Sequence, residues 1–320
     1  MKKFRILFII LLIYIFTVTA SAAQYLIPGG EVIGLELQDN TVTVAAFHQE
    51  LGGNAKKAGL QEGDRILQIG STTVTCAADV QSALQKTQGK ISMHILRNGK
   101  TKQLSFQPAA TAQGPKLGVY LKQGTTGVGT VTYYNPDDGT FAALGHGVNT
   151  KNGDLLALRA GNVYAARVQS VKKGAVGTPG QLMGQVTKQD ALGAIRKNTA
   201  QGIFGSLPAP DCNLLPAAAP EDVKTGPATI RSTVDGSTLR EYSVEILKIY
   251  PNGKERTRNM LIKVTDPALL EATGGIVQGM SGSPIIQDGK LVGAVTHVLI
   301  NDPTTGYGIF IENMLDAAAA

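Results

Sequence analysis

The sequence predicts a mainly β protein, with a small α+β unit first and a larger β-barrel unit after it. Short runs rich in Val, Ile and Thr recur along the chain, broken by Gly, Asn-Gly and Pro-Asp-Asp-Gly. That is the pattern of strands joined by tight turns. Glycine supplies 38 of the 320 residues and Trp is absent, which suits turn-rich β structure better than a helical bundle. The length calls for two domains, and the 43% of apolar residues excludes a globally disordered chain.

Residues 1–23 are read separately. Lys2, Lys3 and Arg5 precede an apolar run from Ile6 to Val18, and Ala20-Ser21-Ala22 offers the small residues that signal peptidase accepts. This is an export signal, either removed or kept as an N-terminal membrane anchor, and it stands outside the fold. The formal charge is +6, but this segment holds three basic and no acidic residues. The 27 basic and 24 acidic residues that remain give only +3. With no dense basic run, nucleic-acid binding is excluded as a function class. Two cysteines (Cys76 and Cys212) and four histidines without ligand spacing predict free thiols, no metal site and no cofactor.

The first unit is expected over residues 24–106. GGEVIGLELQDNTVTVAAF (29–47) alternates like two strands. A short helical turn, a strand reading RILQIG and a helix over 77–88 follow, the helix spacing Val80, Ala83 and Leu84 on one face. KISMHILRNGKTKQLSFQP closes the unit as a hairpin turning at Asn98-Gly99. NAKKAGLQEGDRILQIG (54–70) resembles the middle of a PDZ domain. That resemblance implies that Ile33-Gly34-Leu35 form the loop whose N–H groups receive a peptide carboxylate, beside a sheet edge that an extended peptide joins as a strand. A PDZ fold kept only as a spacer is the plainer alternative.

Residues 107–116, QPAATAQGPK, read as a linker. The second unit is expected over 117–320, with strands in GVGTVTYY, TFAALGHGV, VYAARVQSV, GQLMGQV, STLREYSVEILKIY, RNMLIKV and LVGAVTHVLI, in a barrel or sandwich. The Pro-rich stretch 205–228 reads as a long surface loop.

Within this unit, Gly279-Met280-Ser281-Gly282-Ser283-Pro284 carries the strongest chemical signal. A nucleophilic serine needs an exposed hydroxyl and backbone N–H groups aimed at the developing oxyanion. Glycine two residues earlier lets the N–H groups of Gly279 and Ser281 converge on one point. The loop resembles the G-x-S-G-x-P signature of chymotrypsin-like proteases. Ser283 lacks that preceding glycine and ranks far behind. A serine hydroxyl also needs a base. His146 stands between two glycines in Leu144-Gly145-His146-Gly147-Val148, which leaves its imidazole open to another loop. His48 and His94 belong to the first unit, and His297 sits on a strand where packing is the common fate. The third group is an acid that orients the imidazole, with Asp137, Asp138, Asp154, Asp190 and Asp266 as candidates. Asp266 precedes PALLEA, so it is either that acid or a helix N-cap with Pro at the first helical position.

Three longer stretches, ALGHGV, KVTDPALLEATGGIVQGMSGSPIIQDGK and GAVTHVLINDPTTGYGIFIENML, make the chain similar to the stage IV sporulation protein B peptidase family. The resemblance implies a PDZ domain followed by a chymotrypsin-like β-barrel serine peptidase, with a triad of His146, Asp266 and Ser281. It also implies a regulatory endopeptidase that crosses the forespore inner membrane and cleaves itself. Its further substrate would be a membrane-bound inhibitory partner, whose cleavage releases an intramembrane metalloprotease that activates a late mother-cell sigma factor. The PDZ domain would bind a peptide ligand and gate self-cleavage. The competing expectations are a general quality-control protease and a catalytically silent PDZ adaptor. Asp266 and Ser281 lie only 15 positions apart, closer than a double barrel normally places acid and nucleophile, and Asp154 is the fallback acid.

Overall fold

The computed structural model describes residues 24–150, 153–251 and 256–320; the expected export signal lies outside them. In chain order the elements begin with β1 (Tyr25–Pro28), β2 (Val32–Phe47), α1 (Gly53–Lys57), β3 (Arg65–Ile69), β4 (Thr72–Thr73), α2 (Ala77–Gln85), β5 (Ile91–Arg97) and β6 (Lys100–Phe106). Next come β7 (Ala109–Thr111), β8 (Gly114–Lys116), β9 (Val119–Asn135), β10 (Thr140–Ala143), β11 (Ala160–Lys172), β12 (Gln181–Thr187), β13 (Gly193–Thr199), β14 (Gly202–Ser206) and β15 (Leu215–Pro216). The last part holds β16 (Gly226–Asp235), β17 (Thr238–Ile249), β18 (Met260–Val264), α3 (Pro267–Thr273), β19 (Pro284–Gln287), β20 (Lys290–Leu299), β21 (Asp302–Phe310) and α4 (Ile311–Ala319).

The mainly β expectation holds, and the peptidase part is a double barrel. Strands β16 to β21 form a closed barrel in the order β16-β17-β18-β21-β20-β19. A second ring runs β2-β9-β10-β14-β13-β11 and returns to β2. Both rings share one connectivity. The first three strands are neighbours, the third pairs with the sixth, then sixth with fifth, fifth with fourth, and fourth with first. Each ring hides its apolar positions inside and leaves few sheet edges to solvent. Ile33, Leu35, Val131, Phe141, Val163 and Ile195 fill the first barrel; Ile230, Val244, Ile262, Ile285 and Val295 fill the second.

The PDZ unit does not precede the peptidase, as 24–106 followed by 117–320 would have it. It is inserted between the first two strands of the first barrel. Up to Leu37, β2 packs into the barrel core. From Val42 it pairs with β3 and joins a separate core with Val44, Ile66, Ile69, Val80, Leu84, Met93, Ile95 and Leu117. Strand β9 makes the reverse journey, with Val119 and Leu121 against the PDZ core and Val131 in the barrel. Register shifts between Leu37 and Val42 mark the crossing. The presumed linker 107–116 folds as the β7–β8 hairpin, closed by Thr111 Oγ1 donating to the Gly114 carbonyl at 2.7 Å. The presumed surface loop 205–228 is also more ordered than its prolines implied. It contains β15, which pairs with β1, and buries Ala218 and Val223 against the second barrel.

Inside the PDZ unit, the Gly-Asp pair of the motif has a clear physical task. Asp64 is buried, takes two bonds of 2.6 Å from Arg97 Nε and Nη2, and accepts from the Gln61 N–H. A buried carboxylate is tolerable because its partner is a two-pronged guanidinium. Asn98 and Gly99 both adopt positive φ, 51° and 73°, as a two-residue hairpin turn requires.

Candidate active site

His146 and Ser281 come from different barrels and line one cleft of about 590 Å³. His146 follows β10, the third strand of the first barrel. Leu144 and Gly145 take positive φ (72° and 66°), which turns the chain out of the barrel wall toward the second barrel. The flanking glycines are there for close approach: a Cβ on Gly145 would sit 2.9 Å from the Thr296 side chain, and one on Gly147 would sit 2.5 Å from the Thr199 carbonyl. Asn198 holds the chain beyond them. It accepts from the Val148 N–H and donates to the Val148 and Leu156 carbonyls, at 2.8–2.9 Å.

Ser281 occupies the turn before β19, the fourth strand of the second barrel. Between residues 278 and 283 the N–H groups of Gln278, Met280, Gly282 and Ser283 each donate to a backbone carbonyl. Those of Gly279 and Ser281 make no backbone bond among the described residues, so two donors stand free beside the hydroxyl. Gly279 sits at φ 102° and Gly282 at φ 97°. A Cβ on Gly282 would lie 2.1 Å from the Thr130 carbonyl, so only glycine fits. The Ser281 hydroxyl donates to the Thr296 carbonyl at 2.8 Å. Ser283 faces away, fully buried and bonded to Ser232.

The imidazole of His146 is half-buried. Its Nδ1 lies 2.9 Å from the Gly147 carbonyl. A carbonyl only accepts, so the contact places the proton on Nδ1 and leaves Nε2 with a free lone pair. Burial lowers the pKa of this histidine below its ordinary value, partly opposed by the Gly147 bond. A second imidazole, that of His297, lies 5.1 Å away with the planes tilted by 39°. Burial and the nearby His146 and Arg258 push its pKa down to about 4.

Asp266 is not brought to this cleft. Oδ1 accepts from the N–H groups of Ala268 and Leu269 at 2.9 and 3.0 Å, and Oδ2 accepts from the Ser243 N–H at 3.3 Å. It is the N-cap of α3, one of the two readings that the Asp-Pro pair permits. The short spacing explains the outcome: Asp266 and Ser281 both lie in the connection between β18 and β19, at opposite ends of α3 and the loop after it. Asp154 is exposed and stands outside the cleft. None of the described residues lining the cleft is charged.

Ile33, Gly34 and Leu35 form no peptide-binding loop. They lie mid-strand, paired on one side with Ala165, Tyr164 and Val163 and on the other with Gly129, Val128 and Gly127. A fully paired strand has no N–H groups to offer a carboxylate. Gly34 is small because a Cβ would meet Val186 at 2.4 Å, and Leu35 lines the peptidase cleft. A glycine turn at the head of a strand occurs instead at Leu117-Gly118-Val119. Gly118 takes φ 76°, and residues 119–123 of β9 pair only with β2 among the described residues. LGVY after GPK was the sequence signal for it.

The family model described as SpoIVB peptidase S55 matches residues 113–315, and a PDZ-domain model matches residues 50–97. An 80-residue stretch is 41% identical to a proposed zinc metalloprotease of Staphylococcus aureus (strain N315), and at the same identity to one from strain COL. The stretch is 25% of this chain and 19% of each relative, so the chain spans about a fifth of the length of those curated relatives. Among solved structures, the active form of the Rv3671c protease from M. tuberculosis is 18% identical over 61% of this chain and 74% of that one, with a TM-score of 0.38. Its inactive form is 17% identical over 60% and 83%, with a TM-score of 0.36. No cluster of three or more metal-ligating side chains occurs among the described residues.

Proposed function

Because the chain belongs to the SpoIVB peptidase S55 family, a serine peptidase carrying a PDZ domain, we propose that Ser281 is its nucleophile and His146 its general base. The observation that carries this reading is the pair of free N–H groups, Gly279 and Ser281, beside a hydroxyl that shares its cleft with an imidazole. His146 Nε2 takes the Ser281 proton as the oxygen leaves the Thr296 carbonyl and attacks a peptide carbonyl. The two N–H groups receive the oxyanion, and His146 returns the proton to the leaving amine. Water, deprotonated by the same imidazole, then releases the acyl group.

The proposed setting is sporulation: an exported or membrane-anchored endopeptidase in the space around the forespore, which cuts itself and a membrane-bound inhibitory partner of an intramembrane protease. Among the described residues no helix is long and apolar enough to cross a membrane, so anchoring would fall to the N-terminal segment or to the partner. The PDZ unit would take an extended peptide along the open edge of β9 beyond Gly118. Its insertion into the first barrel supports a gating role, since β2 and β9 run from the peptide-binding unit into the walls of the cleft. The test is N-terminal sequencing of the purified chain after incubation, beside its Ser281→Ala form. New N-termini in the parent alone are expected; identical processing of both would refute the nucleophile.

A further inference from the structure

Each N–H of the proposed oxyanion pair belongs to a planar trans peptide, so the carbonyl at the other end of that peptide points the opposite way. Whatever holds the carbonyl therefore aims the N–H. For Ser281 the holder is local: the Met280 carbonyl accepts from the Ser283 N–H at 3.0 Å, within the turn itself. For Gly279 it is remote. The Gln278 carbonyl accepts from the Leu182 N–H at 2.8 Å, and the Gln278 N–H donates to the Gly180 carbonyl at 2.9 Å.

Those partners lie at the start of β12, which belongs to neither ring and pairs with β11 as the second arm of a hairpin. The hairpin tip is tied to the second barrel by backbone bonds at two further points. Gly174 donates its N–H to the Thr273 carbonyl and Gly177 to the Ile300 carbonyl, both at 2.8 Å. A Cβ on Gly180 would sit 2.5 Å from the Val277 side chain, so the two segments lie as close as backbone allows. Leu182 is 1% exposed and packs into the core of the second barrel. Its side chain lies against Gly279, 3.0 Å from where a Cβ would stand, and it does not line the cleft.

Gly279 is free to change φ at little steric cost, so its sequence alone does not hold the 278–279 peptide in one orientation. Turned over, that peptide would present a carbonyl instead of an N–H to the developing oxyanion. Resting on the reading of Gly279 and Ser281 as the oxyanion donors, we infer that Leu182 is a positioning residue of that pair. Its N–H keeps the Gln278 carbonyl on the hairpin side and thereby keeps the Gly279 N–H turned to the cleft. The hairpin of β11 and β12 selects the productive orientation; it makes no contact with the reacting atoms.

The test replaces Leu182 with its α-hydroxy acid (Leu182→leucic acid), so that an ester oxygen stands where the N–H was and the side chain stays. Hydrolysis of a peptide substrate is followed as kcat and KM, with thermal unfolding as the check on folding. Loss of a whole oxyanion donor lowers kcat by about 10²- to 10³-fold, and the ester form is expected to lose at least about tenfold, with KM within about twofold. Affinity for a peptide boronate, whose tetrahedral adduct occupies the oxyanion site, should fall by the same factor as kcat/KM. Leu182→Met, which keeps the N–H and fills the same space, should retain parent-like kcat. Parent-like kcat and boronate affinity in the folded ester form would overturn the inference with the nucleophile intact, as would an equal loss in Leu182→Met, which would assign the effect to packing. A parent protein that forms no boronate adduct at Ser281 would sink the underlying reading instead. Should the ester form fail to fold, a crystal structure of the parent boronate adduct decides. The Gln278 carbonyl on the Leu182 N–H, with the Gly279 N–H on a boronate oxygen, is expected; a 278–279 peptide turned over, or released from Leu182, overturns the inference.

Discussion

Thr130 Oγ1 donates to the Gly279 carbonyl at 2.7 Å, joining strand β9 of the first barrel to the Ser281 turn of the second. The same residue donates its N–H to the Ser281 carbonyl at 3.2 Å and accepts from the Leu144 N–H at 3.2 Å. One fully buried threonine thus fixes the turn that carries the serine and the bend that leads to the histidine. Thr130→Val keeps the shape and strands a buried carbonyl, at a cost of about 1–3 kcal/mol. Chemical denaturation should show this loss, and kcat should fall more than KM rises.

Asp266 caps α3, accepting from the Ala268 and Leu269 N–H groups. As N-cap it sets the start of the helix whose end releases the chain into Gly274–Ser281. Asp266→Ala should destabilise the protein by about 0.5–2 kcal/mol and reduce turnover in step. Asp266→Asn and Asp266→Ser, which also cap, should restore both. An acid in direct contact with His146 would not be replaced by serine, so a folded but inactive Asp266→Ser protein would contradict the cap-only role.

The two histidines of the cleft give a defined pH response. Both have folded pKa values below the ordinary 6.5, that of His297 at about 4. Between those values the unfolded chain binds more protons than the folded one. Their contribution to stability is therefore complete above about pH 6.5 and is lost as pH falls toward 4. Denaturation midpoints measured across this interval should rise with pH. The proposed mechanism needs neutral His146, so kcat/KM should level off on an acid limb centred below pH 6.5, and a limb centred above it would contradict His146 as a buried base.

Leu35, Val128, Leu144, Ile276, Val277 and Val298 face the cleft, and no charged side chain among the described residues joins them. A charged substrate side chain entering there would lose water without gaining a partner. In a peptide series that varies only the residue before the cut, Leu or Val should exceed Lys and Asp in kcat/KM by about tenfold or more. Equal rates across the series would place the substrate elsewhere.

Much of this architecture is legible in the residues. Alternation finds β10, β11, β12, β17, β18 and β20, and the AGL-x-x-GD pattern finds the PDZ unit. The glycines around His146 and Ser281 announce chains in close contact, which they are. The insertion stays hidden because β2 and β9 each serve two cores. Alternation reports that one face of a strand is buried, not against which body. β14 and β21 are concealed by Gly, Asp and Pro in strands whose partners, rather than their composition, define them. Ile33-Gly34-Leu35 fits a loop by composition, and only the packing of Val186 against Gly34 shows why glycine is there. Asp-Pro at 266–267 is equally apt for cap and catalytic acid, and in the fold its side chain caps α3. His297 reads as an ordinary strand residue because sequence gives no view of the ring across the cleft.

The most direct test is the covalent one. The intact protein is treated with a fluorophosphonate, and the modified residue is located by peptide mass spectrometry, beside a His146→Ala form shown to be folded. A single adduct on Ser281, formed at least about a hundredfold more slowly without the imidazole, is the predicted result. A folded parent protein that takes no label at Ser281, or takes it equally well without His146, would contradict the account.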